Sequence, residues 1–161
     1  MNPTTPRSPT TIVERLRDIL GDDGVISDIE RLRTYECDGL TNYRVMPLAV
    51  VLPRSTAQVQ GVVRLCHELS VPFVARGHGT GLSGGALPTD DGIVISLARM
   101  NRILSVDYDN ARIQVEPGVI NLHVTQHVAP HGYYYAPDPS RDRKSTRLNP
   151  VTLESRMPSS A

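Results

Sequence analysis

The stretch Val74 to Pro88, VARGHGTGLSGGALP, limits what this chain can become more than any other segment. Five glycines fall within nine residues, at 77, 79, 81, 84 and 85, directly after an apolar run, Pro72–Ala75, that reads as a buried strand. Glycine at that density costs backbone entropy on folding. What it permits is close approach: without Cβ atoms, successive backbone N–H groups converge as a nest for an anion such as phosphate. Thr80 and Ser83 add hydroxyl donors, and Arg76 brings charge to the loop entrance. A loop selected only for flexibility would carry more Asp, Asn or Lys, and apolar strands would not frame it.

A second motif lies inside the first. Gly79-Thr80-Gly81-Leu82-Ser83-Gly84 matches G-x-G-x-x-G, the dinucleotide fingerprint of Rossmann domains, and Asp107 lies roughly where that fingerprint's ribose-binding acid belongs. The fingerprint requires a helix that begins within it, and Gly85, Pro88 and Gly92 preclude one before the next strand. A Rossmann-type NAD(P) dehydrogenase is therefore the alternative reading, which a helix starting at Gly81 would support.

The flanking pattern gives an α+β or mixed α/β chain. Thr11–Leu20 sets Ile12, Val13, Leu16, Ile19 and Leu20 on one helical face, with Gly21 as a stop. Ser27 or Asp28 caps a short helix carrying Ile29, Leu32 and Tyr35. Leu48–Leu52 reads as a buried strand. Ser55-Thr56-Ala57-Gln58 reads as a capping box, opening a helix whose stripe is Val59, Val62, Val63, Cys66 and Leu69. The crossover to Pro72–Ala75 makes the two strands parallel, and adjacency is the expectation. Ile93–Leu97 is a further apolar strand. Ile103–Tyr108 and Ala111–Glu116 alternate around Asp109-Asn110 as a hairpin with a two-residue turn. Asn121 is placed to cap a helix ending near Gly132, and Tyr133–Ser140 returns as an extended, proline-locked segment.

Bulk properties narrow the class. With 161 residues and a formal net charge of zero, the chain suits one domain and carries no field favouring nucleic acid or an acidic membrane surface. Its apolar runs are too short to span a bilayer. Met1 to Thr10 lacks the apolar core of a signal peptide and reads as a loose tail. Cys37 and Cys66 make no disulfide framework and read as free thiols in a reducing, cytoplasmic setting. His123 and His127 share a helical face, but Pro130 takes His131 off it, so no metal set is expected.

One break stands out. Residues 1–140 hold twelve Arg and no Lys, with 12 basic against 15 acidic residues, net −3, whereas residues 141–161 carry five basic and two acidic, net +3. That end has no apolar periodicity, so disorder is expected. Its words DRKSTRLN (142–149) and SRMPSSA (155–161) resemble the translation of a ligated sequencing adapter, which makes a non-native end the expectation. The domains expected are a tail over 1–10, a helical lead-in over 11–46, an incomplete cofactor-binding domain over 47–140, and the non-native or disordered end.

Several separated blocks then agree with one family in order and spacing. Pro53 to Leu65, PFVARGHGTGLSGGALP, RILSVDYDNARIQVEPGVINLHV and APHGYYYAPDPS together resemble the FAD-binding domain of p-cresol methylhydroxylase-type flavoproteins. Within it, the FAD-linked subunit of glycolate oxidase and the D-lactate dehydrogenases are the nearest likeness, over about residues 27–140. The resemblance implies the N-terminal part of such a domain and an FAD cofactor. Arg76, Gly77, His78, Gly79, Thr80, Gly81, Leu82, Ser83 and Gly84 would hold the pyrophosphate, and Pro137, Asp138, Pro139 and Ser140 would lie beside the flavin. Some relatives attach FAD through a loop histidine. Aligning their arginine with Arg76 puts that position at Thr80, not His78, so a noncovalent flavin is implied. The implied reaction oxidises a 2-hydroxy acid, glycolate or D-lactate, to the 2-oxo acid. Its substrate-anchoring and base residues lie in a later domain, so no catalytic residue is named. The resemblance further implies partner subunits of a glycolate oxidase-like complex and a cytoplasmic site, peripheral to the inner face of the membrane. Outside enzymes, the alternative is an inert truncated product.

Overall fold

Ile93–Ser96 is buried at all four positions, and that decides the order of the sheet around it. The computed structural model describes residues 8–39 and 41–136, together with the backbone of 151–152 and 154–155. The chain divides into two compact units, Met1–Arg99 and Met100–Ala161.

The first unit carries a four-stranded sheet of β1 (Val25–Ile26), β2 (Ala49–Val51), β3 (Phe73–Arg76) and β4 (Ile93–Ser96), in the order β1-β2-β4-β3. β2 and β3 are parallel, as the crossover requires, but they are not neighbours. β4 lies between them, parallel to both, with Val50 opposite Val94 and Val74 opposite Val94. A strand apolar on both faces is best covered at the centre, whereas β3, with Phe73 45% exposed, takes the edge. β1 closes the other side antiparallel, Val25 opposite Val51.

Strand alternation separates two cores. Val25, Ala49, Val51, Ile93 and Ile95 pack with α1 (Pro9–Leu20) and α3 (Thr56–Leu69), while Ile26, Val50, Leu52 and Val94 pack with Leu32, Tyr35 and Met46. α1 starts two residues earlier than its periodicity suggests, with Pro9 in the first turn, where its missing N–H costs nothing. Asp28, not Ser27, caps α2 (Ile29–Leu32) by accepting from the Glu30 amide at 3.1 Å. The capping box at α3 forms as expected: Ser55 Oγ accepts from the Gln58 amide at 3.3 Å, and Gln58 Oε1 accepts from the Arg54 amide at 2.7 Å. The buried stripe of α3 is Val62, Leu65, Cys66 and Leu69; Val63 is only half-buried, because the face centres on Leu65.

The second unit pairs β5 (Ile103–Asp107) with β6 (Arg112–Val115) over a core of Ile113, Val119, Val124 and Val128. The last strand pair is Asp107 with Arg112, so the connection spans four residues, not two. Asp109 and Asn110 are its centre, but Ala111 adopts a left-handed φ of 50°, adding a residue after the turn. Asp107 stabilises it by accepting from the Asn110 amide at 3.1 Å and the Asn110 Nδ2 at 2.8 Å. α4 (Asn121–Val128) is capped by the backbone at Ile120; Asn121 is already helical, with its side chain buried, so it does not cap. β7 (Tyr133–Tyr134) follows. Two short strands, β8 (Val151–Thr152) and β9 (Glu154–Ser155), come from the basic end and pair antiparallel with β6 and β7. Sheet edges offer backbone partners to a segment with no core of its own.

Candidate functional site

β3 delivers the chain into the glycine loop. From Gly77 to Gly92 no helix forms, so the connection to β4 is strand, loop, strand. This removes the Rossmann reading, which required a helix from Gly81. The loop ends in a turn in which the Leu87 amide donates to the Gly84 carbonyl at 3.1 Å.

The middle of the loop is open. The amides of Gly79, Thr80, Gly81, Leu82 and Ser83 donate to no backbone carbonyl among the described residues. Thr80 to Ser83 are exposed, with Leu82 at 70%. A Cβ added at Gly81, Gly84 or Gly85 would meet nothing within 4 Å. Gly79 and Gly84 both take a left-handed φ, +69° and +72°, but only at Gly79 is the space filled: a Cβ there would overlap the Arg76 guanidinium.

Arg76 does not project into the open loop. It is 9% exposed, and its Nη1 donates to the carbonyls of Cys37 at 2.9 Å and Tyr35 at 3.4 Å. Its guanidinium carbon stands 5.4 Å from the centre of the Tyr35 ring. Nε is buried without a partner. Burial pushes the Arg76 pKa below its ordinary value, and the acidic groups of Tyr35, Cys37 and Asp38 act in the opposite direction. From the same segment, a Cβ added at Gly39 would stand 2.8 Å from the carbonyl oxygens of both Thr80 and Gly81. The loop is therefore backed by residues 35–39, which no local pattern singles out. His78 is half-buried in the loop. Pro137, Asp138, Pro139 and Ser140 lie outside the described residues.

The thiols are unpaired. Cys66 is buried in α3, and burial pushes it up to about 11; Cys37 is half-buried beside Arg76. Among the described residues, no group of three His, Cys, Asp or Glu is placed to hold a metal ion, and no helix is long and apolar enough to cross a membrane.

Comparison with known proteins gives a consistent result. A family profile described as FAD binding domain matches residues 47–146. The glycolate oxidase subunit GlcD of Escherichia coli (strain K12) is 47% identical over 131 residues, which are 81% of this chain and 26% of that protein. The D-lactate dehydrogenase of Anaerostipes hadrus is 32% identical over 139 residues, 86% of this chain and 28% of that one. Among solved structures, p-cresol methylhydroxylase with substrate bound superimposes with a TM-score of 0.68 at 28% identity, covering 80% of this chain and 26% of that one. The chain thus spans about a quarter of the length of the relatives it matches.

Proposed function

This chain belongs to the FAD binding domain family, its cofactor is FAD, and we propose that it forms the phosphate-holding part of a larger oxidoreductase acting on 2-hydroxy acids. The observation that carries the reading is the run of five amides, Gly79 to Ser83, without backbone partners among the described residues and with open space at Gly81, Gly84 and Gly85. A pyrophosphate needs several converging donors and room to approach them, and this loop has both.

In this reading the loop from Gly77 through Gly84 binds the pyrophosphate, Thr80 and Ser83 add hydroxyls, and Arg76, turned inward, is not a direct ligand. The position at which some relatives attach FAD through histidine falls on Thr80, which has no ring nitrogen for that linkage, and this supports a noncovalent flavin. The chemistry FAD supplies when bound is acceptance of a hydride from the hydroxyl-bearing carbon. The likeness to a glycolate oxidase subunit and a D-lactate dehydrogenase supports glycolate or D-lactate as substrate, and partner subunits for the first.

The test is anaerobic mixing of the full-length protein with glycolate, D-lactate or L-lactate, followed by flavin absorbance. Bleaching by glycolate or D-lactate, with L-lactate inert, is expected. A flavin that none of them bleaches would refute the substrate class.

A further inference from the structure

We propose that Arg76 and Gly39 are positioning residues for the flavin phosphate site, and that segment 35–39, which precedes the matched family region, is part of that site. The proposal rests on FAD as the loop's ligand. A guanidinium at the mouth of a phosphate loop is ordinarily read as a direct anion ligand. Here its geometry says otherwise. Nη1 is occupied by the carbonyls of Tyr35 and Cys37, the guanidinium carbon stands 5.4 Å from the centre of the Tyr35 ring, and the residue is 9% exposed. It ties the lead-in to the end of β3, immediately before the loop begins.

Two glycines make the same point from the backbone. Gly79 holds its φ of +69° with the Arg76 guanidinium filling the space a Cβ would need. Gly39 lies so close behind the loop that a Cβ would press on the carbonyls of Thr80 and Gly81 at 2.8 Å, tighter than real Cβ contacts allow. Those carbonyls belong to the peptides whose N–H groups come from Gly81 and Leu82. Fixing the carbonyls from behind therefore aims two of the free amides forward. A preorganised nest binds its anion without a further ordering cost. Arg76 thus acts through the loop by shape, its planar guanidinium filling the space beside Gly79, which a compact lysine ammonium does not fill.

The experiment uses the full-length flavoprotein with Arg76→Lys, Arg76→Gln and Gly39→Ala. It reads FAD dissociation by flavin fluorescence, amide exchange of residues 77–85 in the flavin-free protein, and the melting temperature. Both Arg76 variants should weaken FAD binding and speed loop exchange by about tenfold or more, and Gly39→Ala, which removes no charge, by several-fold. If Arg76→Lys binds FAD like the parent while Arg76→Gln does not, charge alone matters and the proposal falls. It falls equally if Gly39→Ala, with an unchanged melting temperature, leaves both affinity and loop exchange unchanged. Should the parent protein bind no FAD, the cofactor reading fails instead. Loop exchange then decides the positioning role: faster exchange in the variants upholds it, and unchanged exchange overturns it.

Discussion

Leu16→Ala tests whether the lead-in is built into the first unit or merely precedes the matched family region. Leu16 is fully buried on α1, in one cluster with Val62, Leu65 and Cys66 of α3 and with the sheet face of Ala49, Val51, Ile93 and Ile95. Removing its isopropyl group forfeits about 2.5 kcal/mol of transfer energy, at roughly 0.8 kcal/mol per carbon. The surroundings are two helices and a sheet, which cannot collapse into the gap, so a cavity term adds to this. The total expected is about 3–5 kcal/mol. For a unit of this size that corresponds to a fall in Tm of at least about 12 °C. The ion pair joining the same two helices, Arg15 to Glu68 at 2.9 and 3.0 Å, lies on the surface and would hide little of the loss. Urea unfolding followed by far-UV circular dichroism measures it, with Ile29→Ala, at a site 63% exposed, as the control within about 0.5 kcal/mol of the parent. A cost below about 1 kcal/mol for Leu16→Ala would mean that α1 does not pack as described.

Other consequences can be checked separately. Val62→Asp buries an unpaired charge and should unfold the first unit, whereas Val63→Asp, half-buried, should be much milder; equal effects would show the helix register to be wrong. Glu116 accepts from Arg102 at its backbone amide (2.8 Å), Nη2 (2.7 Å) and Nε (3.1 Å), and this holds its carboxyl below the usual range. A lowered folded pKa gives stability above the ordinary carboxylate value that is lost as pH falls through the folded one. Glu116→Gln should therefore cost about 1–3 kcal/mol at neutral pH and flatten the acid loss; an unchanged acid profile in urea melts would contradict it. At pH 8 only about one part in a thousand of Cys66 is thiolate, so iodoacetamide should label Cys37 first, and equal labelling in the native protein would oppose the burial argument. The 161 residues alone should turn over neither glycolate nor D-lactate, since no substrate-anchoring set is identified in them; dye reduction by this chain would overturn that.

What the sequence made legible was local chemistry. The glycine loop, the capping box at Ser55-Gln58, the cap at Asp28 and the apolar strands all follow from residues within a few positions of one another. What it hid was non-local or conformational. The insertion of β4 between β2 and β3 depends on which strand needs cover on both sides, and spacing along the chain does not encode that. Ala111 takes a left-handed turn position where glycine or asparagine is the usual signal. Asn121 had a cap's identity without a cap's place. At the site, Arg76 was visible as a charge, but its partners lie 39 and 41 residues earlier in the chain, so its inward role showed only in three dimensions.

The central claim, that this loop receives the FAD pyrophosphate on its free amides, meets its most direct test at Gly81. A Cβ there touches nothing in the protein and its φ is not in the left-handed region, so Gly81→Val changes only the space a ligand would use. Titration of flavin-free full-length protein with FAD, alongside thermal melts, is the measurement. The expected result is a melting temperature equal to the parent's and FAD affinity weakened by about a hundredfold or more, from exclusion of a phosphate held at contact distance. Unchanged FAD affinity in a normally folded Gly81→Val protein would place the pyrophosphate elsewhere.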